Sequence, residues 1–420
     1  MNPSIQQPLS TLQLLLLDLI TPLRTVTQAQ VDALSPQDWQ ALLKMVRQHR
    51  LGPMLHWQLG QVHAHLTIPP ECRAEWARSH KKNTLRNLLL QRELLLVHQL
   101  FKNAAIPYMA LKGAYLAYHA YPNPALRPMR DLDILVPKDQ VLKAYQILLD
   151  AGMSHMEDYQ GSPEVVMALY KHLPPLRSAS GQVNVELHSR LFHHESEGRP
   201  QPDLSDTPGF WDRITSAPIA NQVISFEPPT ELLLHMIVHA VYDHQFNNGP
   251  LLLSDLAFLL STQTIDWPLF WSLAQLGQQT RGCLLALKLT QRYWGIEHMV
   301  WPSTTADEQI ELDAATDMAA CLMLRDFEAR GDVFLHHELL KSTSPKEKIF
   351  FLLRKIFPSK DWIAAIYPVR RDSWQIYFWY LVRLLDRLRY RVPAFWRARQ
   401  QPQLQHEVKE ITRLTQWLAG

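Results

Sequence analysis

Arg127-Pro128-Met129-Arg130-Asp131-Leu132-Asp133-Ile134-Leu135-Val136 is the stretch on which the reading of this chain turns. Its aliphatic run, closed by Pro137, reads as a strand. Side chains two apart on a strand share a face. Asp131 and Asp133 therefore project together, while Leu132 and Ile134 turn toward a core. Two carboxylates about 4 Å apart repel by roughly 4 kcal/mol at an effective dielectric near 20. A divalent cation reverses the sign of that interaction. Oxygen-only ligands of this kind favour magnesium, which keeps several waters and is shared with substrate phosphates.

The same parity places a third acid. In Val183-Asn184-Val185-Glu186-Leu187-His188 the valines and Leu187 share one face, and Asn184, Glu186 and His188 share the other. Asp131, Asp133 and Glu186 converging from adjacent strands would hold two magnesium ions for in-line phosphoryl chemistry on a nucleoside triphosphate. Upstream, Lys112-Gly113 ends a short apolar strand, Tyr108-Met109-Ala110-Leu111, and opens a helix. A glycine there lets backbone approach a phosphate, and a helix N-terminus favours negative charge. Lys112, Arg127 and Arg130 are cations available to a triphosphate. An isolated Asp-x-Asp is most often a solvated strand edge. The strand context, the Lys-Gly turn and Glu186 together outweigh that reading.

Around this centre the pattern is strand, helix, strand, helix, then a hairpin. A helix is expected over 114–121, a proline-rich loop through Pro122, Pro124 and Pro128, and a helix over 138–150 stopped by Gly152. Segments 176–179 and 183–187 flank a Ser180-Gly181 turn. Helical spacing of Leu12, Leu15, Leu16 and Leu19, and a leucine-rich run over 86–100, make the N-terminal region helical. Further helices are expected over 231–244, 251–260 and 267–294. The fold class is α+β: a small mixed β-sheet domain flanked by N-terminal and C-terminal helical regions. Four parts are expected: 1–100 helical, 101–225 catalytic, 226–345 helical and completing a cleft, and 346–420 a basic, aromatic-rich helical tail.

The motifs Ala110-Leu111-Lys112-Gly113, Tyr121-Pro122 and 127–136 resemble the bacterial uncharacterised nucleotidyltransferase family, within the DNA polymerase β-like nucleotidyltransferase superfamily. Val185-Glu186-Leu187-His188 looks like that family's third-acid strand, and the region from Leu234-His235 through Asp255 looks like its following helices. The resemblance covers about residues 85 to 295. It implies magnesium-dependent transfer of a nucleoside monophosphate from ATP or another nucleoside triphosphate to an acceptor hydroxyl. It also departs from the superfamily pattern: Ala114 follows Gly113 where serine or glycine is common, and the third acid is Glu186 rather than aspartate.

Glu231, His235, His239 and Asp243 recur every four residues on an otherwise apolar helix, one ionisable stripe along a single face. A polar seam against the catalytic part is the plainer reading. His188, His235, His239, Asp243 and Asp255 are the residues available to an acceptor cleft, although Asp255 also suits a helix N-cap. Met236 follows His235, so the metalloprotease pattern His-Glu-x-x-His is missing.

Composition bounds the rest. The 420 residues are 47% hydrophobic, which excludes wholesale disorder, and a net charge of +2 gives no support to a nucleic-acid binder. Cys72, Cys283 and Cys321 are widely spaced and odd in number, which suits a reducing compartment. With no secretory leader over 1–20, the expectation is a cytoplasmic protein. Residues 346–400 hold 13 Lys or Arg against 4 Asp or Glu, interleaved with Trp, Tyr and Phe. Such a tail suits peripheral contact with an anionic membrane at its inner face or stacking on single-stranded nucleic acid, with plain helical packing on the core the slightly favoured reading. A non-catalytic accessory protein on the same fold, membrane-docked through this tail, is the alternative function.

Overall fold

The computed structural model describes residues 9–156, 162–193, 195–196, 199–200, 202–326, 357–386, 389 and 402–419. Nine strands are found among them: β1 (Met109–Ala110), β2 (Asp131–Leu135), β3 (Ser154–His155), β4 (Leu176–Arg177), β5 (Asn184–His188), β6 (Glu195–Ser196), β7 (Arg199–Pro200), β8 (Thr215–Ile219) and β9 (Gln222–Phe226). Seven form one mixed sheet in the order β3-β4-β5-β2-β1-β9-β8, and β6 pairs with β7. β2 runs parallel to β5 and β1 parallel to β9, while β1–β2, β3–β4, β4–β5 and β8–β9 are antiparallel. The chain is thus mixed α+β, a sheet wrapped by helices.

The two central strands alternate as their sequences require. Leu132, Ile134, Val185 and Leu187 are buried, and Asp131, Asp133, Asn184 and Glu186 are half-buried. The helices Pro70–Asn103 and Val141–Asp150 pack on β2 and β5 respectively, and on each other. Burying a leucine or isoleucine side chain is worth about 1.5–3 kcal/mol, so this apolar face fixes which way the acids point. The long helix also holds the proline loop that presents the motif. Asn83 donates to the carbonyl of Ala125 at 2.6 Å, and Asn87 to those of Pro124 and Arg127 at 2.6 and 3.0 Å.

On the other side of the sheet the chain continues into the helices Pro229–Val238, Leu251–Thr262, Trp267–Leu276, Thr280–Trp294 and Ala306–Met323. The N-terminal helix Thr11–Ile20 packs on Thr280–Trp294, so the chain's first helix meets a late one. One cluster of buried apolar residues runs from Leu15 to Leu414.

Several elements differ from the expectations in instructive ways. The segment 267–294 is two helices, broken at Gly277-Gln278, where Gln278 adopts φ 55°. The helix after Lys112 is α-helical only over Gly113–Tyr115 and continues as a π-helical turn, Leu116–Ala120. The histidine helix likewise ends in a π-helical turn, His239–Asp243. The β8–β9 hairpin had no counterpart in the sequence reading. Its turn is Ala220-Asn221, with Ala220 at φ 50°, and Pro218 sits within β8; both obscure the strand pattern.

Among the described residues no helix is long and apolar enough to cross a membrane. Much of 346–420, including Phe350, Phe351, Tyr390 and Trp396, lies outside the described residues. Of the tail's aromatics, Trp374, Tyr377 and Phe378 are exposed, while the Arg383 guanidinium stacks 3.9 Å over Trp362.

Candidate active site

The parallel register of β2 and β5 sets Asp133 opposite Glu186 and Leu135 opposite His188. Ligand atoms of Asp133, Glu186 and His188 lie within 4.8 Å of one another, a separation that fits one metal ion. Asp131 stands two residues back on the same face. All four line a cleft of about 420 Å³ between the sheet and the helices that follow it. His188 Nε2 is 2.9 Å from Asp133 Oδ1, and its Nδ1 is 3.3 Å from the carbonyl oxygen of Arg190.

Crowding of the acids splits their protonation. Burial and then the neighbouring Asp133 push Asp131 up to about 6. Burial, Asp133 and Asp131 push Glu186 up to about 8. Burial would raise Asp133 as well, but Lys112 and His188 hold its carboxyl well below the ordinary carboxylate value. Burial drives His188 down to about 3, so its ring is neutral. Near neutral pH Asp133 and most of Asp131 are therefore ionised, while Glu186 keeps its proton.

Lys112 reaches into the cluster from the turn after β1. Its Nζ lies 3.6 Å from Asp133 Oδ2, with the side chain 9% exposed. Burial opposes its charge, but Asp133, Asp131, Glu186 and Asp243 together hold it above the usual lysine value. Its backbone sits at φ 44°, a conformation that costs a non-glycine residue on the order of 1–3 kcal/mol. The fully buried Glu227 helps hold that turn: its carboxylate accepts the Lys112 N–H, and its backbone N–H donates to Ala110 at 3.3 Å. His235 Nδ1 lies 2.9 Å from the Glu227 carboxylate, below the cleft floor rather than in it. Glu231 is also turned away, paired with Arg213 at 2.7 Å.

Gly113 is required by packing. A Cβ there would fall 2.5 Å from Arg127 Nη1 and 3.1 Å from Met129 Sδ. Arg127 cannot give way easily, because Asp255 grips it through two hydrogen bonds of 2.8 and 2.9 Å. Tyr121 donates to the same carboxylate at 2.7 Å. Arg127 and Asp255, read separately from sequence as phosphate and acceptor residues, are thus partners of each other. Arg130 lines the cleft mouth, joined there by Arg50. Burial, then repulsion from Arg130 and Arg127, lowers Arg50 to about 10.

The far wall carries a second ionic group. Asp243 lies 2.7 Å from Lys171 Nζ, 3.5 Å from His239 Nδ1 and 3.9 Å from His193 Nε2. Burial works against its ionisation, but His239, Lys171 and His193 hold it far below the usual carboxylate range. His239 and Asp243 therefore share the cleft with the acids, whereas His235, one helical turn earlier, does not. Sequence reasoning missed Arg50, Lys171, His172, His193 and Glu227. None sits in a recognisable motif: Lys171 and His172 are adjacent in one segment, and Arg50, His193 and Glu227 come from three others.

Two carboxylates paired across parallel strands of a mixed sheet, with a lysine and arginines around one cleft, suit the nucleotidyltransferase class of fold. The family model described as uncharacterised nucleotidyltransferase matches residues 35–295, and the chain belongs to that family. The match begins well before residue 85 and takes in Arg50 as well as the acids. No curated protein matches the chain.

Proposed function

We propose that this protein transfers a nucleoside monophosphate from a nucleoside triphosphate to an acceptor hydroxyl, in the manner of the DNA polymerase β-like superfamily. The observation that carries this reading is the Asp133–Glu186 register pair, with Asp131 on the same face and Lys112 between them and the helices. Divalent cations held by Asp131, Asp133 and Glu186 would neutralise charge at the α-phosphate and at the departing pyrophosphate.

The chain's own residues do the rest. Arg130 and Arg50 at the mouth hold the β- and γ-phosphates, and Lys112 reaches the phosphate nearest the acids. Arg127, fixed by Asp255, shapes the floor under Gly113. The acceptor enters along the wall of His239 and Asp243, and Glu186 orients its hydroxyl. That oxygen bonds to the α-phosphorus, the bond to the bridging oxygen breaks, pyrophosphate leaves, and the hydroxyl proton passes to Glu186.

The test is calorimetric titration of each ribonucleoside triphosphate, with and without magnesium, into wild type and the double variant Asp131→Asn/Asp133→Asn. Binding that needs both magnesium and the acids supports the reading and justifies an acceptor search with α-labelled nucleotide. Equal binding by the double variant would sink it and favour a non-catalytic accessory role.

A further inference from the structure

The imidazole of His188 is fully buried, yet both of its ring nitrogens face oxygen acceptors. Nε2 is 2.9 Å from the Asp133 carboxylate and Nδ1 is 3.3 Å from the Arg190 carbonyl. A neutral imidazole carries one N–H, so it satisfies only one of these acceptors. The doubly protonated ring would satisfy both but is disfavoured for so deeply buried an imidazole. A cation beside Nε2 resolves the conflict. Nδ1–H then donates to the Arg190 carbonyl, the outer hydrogen bond that metal-bound histidines nearly always make, and Nε2 turns its lone pair to the metal.

The neighbours complete such a site. His188 Nε2 lies 3.8 Å from Glu186 Oε2, and Asp133 sits opposite Glu186 in the ladder. The donor set is two carboxylates and one imidazole nitrogen, with Asp131 outside the group. Magnesium prefers oxygen donors and retains its waters, whereas an imidazole nitrogen suits first-row transition ions.

We infer that Asp133, Glu186 and His188 form a nitrogen-containing site for a first-row transition divalent cation, held without nucleotide and distinct from a magnesium position shared by Asp131, Asp133 and the incoming phosphates. The inference rests on the nucleotidyltransferase reading and divides its two cations into unlike sites. In the resting protein Nε2–H donates to Asp133; on binding the cation the ring exchanges its proton from Nε2 to Nδ1 through solvent, with no net change in its charge.

The probe is manganese, titrated into the nucleotide-free full chain by calorimetry alongside magnesium, with electron spin echo spectra of the manganese complex. The expected result is at least tenfold tighter binding of manganese than magnesium, and nitrogen modulation in the wild-type echo. His188→Gln removes the modulation and most of the manganese preference, while His298→Gln, an exposed histidine that does not line the cleft, keeps both. Wild-type spectra without nitrogen modulation, or equal affinity for the two metals, overturn the inference. The nitrogen signal is read on wild type, so a poorly folded variant does not decide the matter. Magnesium-dependent nucleotide binding with no nitrogen signal would sink this site and leave the transferase standing. A nitrogen signal with no nucleotide binding under any metal would do the reverse.

Discussion

Asp133 and Glu186 face each other across the parallel β2–β5 ladder, and Lys112 Nζ stands 3.6 Å from the first of them. The pair brings two negative charges into a half-buried cleft where an amine, a proton or a cation must answer them. Which of the three does so depends on conditions, and the measurable behaviour of the site follows from that competition.

Asp133 is the hub, since Lys112 and His188 both turn to it. Asp133→Asn keeps the shape but removes the charge that both partners use. Transfer to any accepted hydroxyl is expected to fall by on the order of 10²–10³-fold, the scale seen when one preorganised electrostatic group is lost. Steady-state kinetics, with a circular dichroism melt to confirm folding, checks this. An unchanged kcat would remove Asp133 from the mechanism.

The acids predict a pH dependence with a definite sign. Burial, Asp133 and Asp131 raise the Glu186 carboxyl from the ordinary carboxylate range to about 8 in the metal-free protein. A folded-state pKa above the unfolded one stabilises the fold fully below the unfolded pKa, and that contribution is lost as pH rises through the folded value. The Glu186 contribution to melting temperature is therefore expected to fall between about pH 5 and pH 8, read as the difference between wild type and Glu186→Gln. The difference is needed because buried histidines such as His188, pushed down to about 3, give the opposite slope below about pH 6.5. A divalent cation must displace the proton, so its affinity rises over the same window, and calorimetry in buffers of differing ionisation enthalpy reads the proton release.

Arg127 and Asp255 form a buried pair, with side chains 13% and 4% exposed. Removing one partner of such a pair costs about 3–5 kcal/mol, because the other charge is left stranded. Arg127→Ala is expected to lose that much stability in a denaturant titration. Arg127→Met with Asp255→Leu recovers most of it. Gly113→Ala is also destabilising, since its Cβ collides with the guanidinium that Asp255 holds in place. An Arg127→Ala protein as stable as wild type would show that the pair is not structural.

Arg50 gives the opposite signature. It is crowded by Arg130 and Arg127, whose repulsion outweighs the attraction of Asp131 and Asp255. Arg50→Ala relieves that repulsion, so the melting temperature is expected to hold or rise. Triphosphate affinity falls by about tenfold, the loss of one charge-assisted contact worth roughly 1.5 kcal/mol. Calorimetry against a nucleoside monophosphate separates the two effects, since the monophosphate lacks the phosphates Arg50 is placed to hold.

Alternation along a strand is a local property of the backbone. For that reason Asp131, Asp133 and Glu186 could be assigned to one face, and Leu132, Ile134, Val185 and Leu187 to the other, before any strand had a neighbour. The Lys-Gly turn, the hairpin into β5 and the helices either side were legible on the same grounds, since caps, turns and apolar periodicity act over a few residues. The motif order also carried the family resemblance.

Everything that depends on which distant segments meet was decided by packing. The ladder sets Asp133 opposite Glu186 across 53 positions of chain. The grip of Asp255 on Arg127 spans 128, and Lys171 finds Asp243 across 72. No local propensity encodes these pairings. They follow from burying the apolar face of the sheet and closing the helices over its other side, which leaves the ionisable groups of many loops with one shared cleft. The histidine helix makes the same point: of an even four-residue stripe in the sequence, Glu231 pairs with Arg213 and His235 with Glu227, while His239 and Asp243 line the cleft.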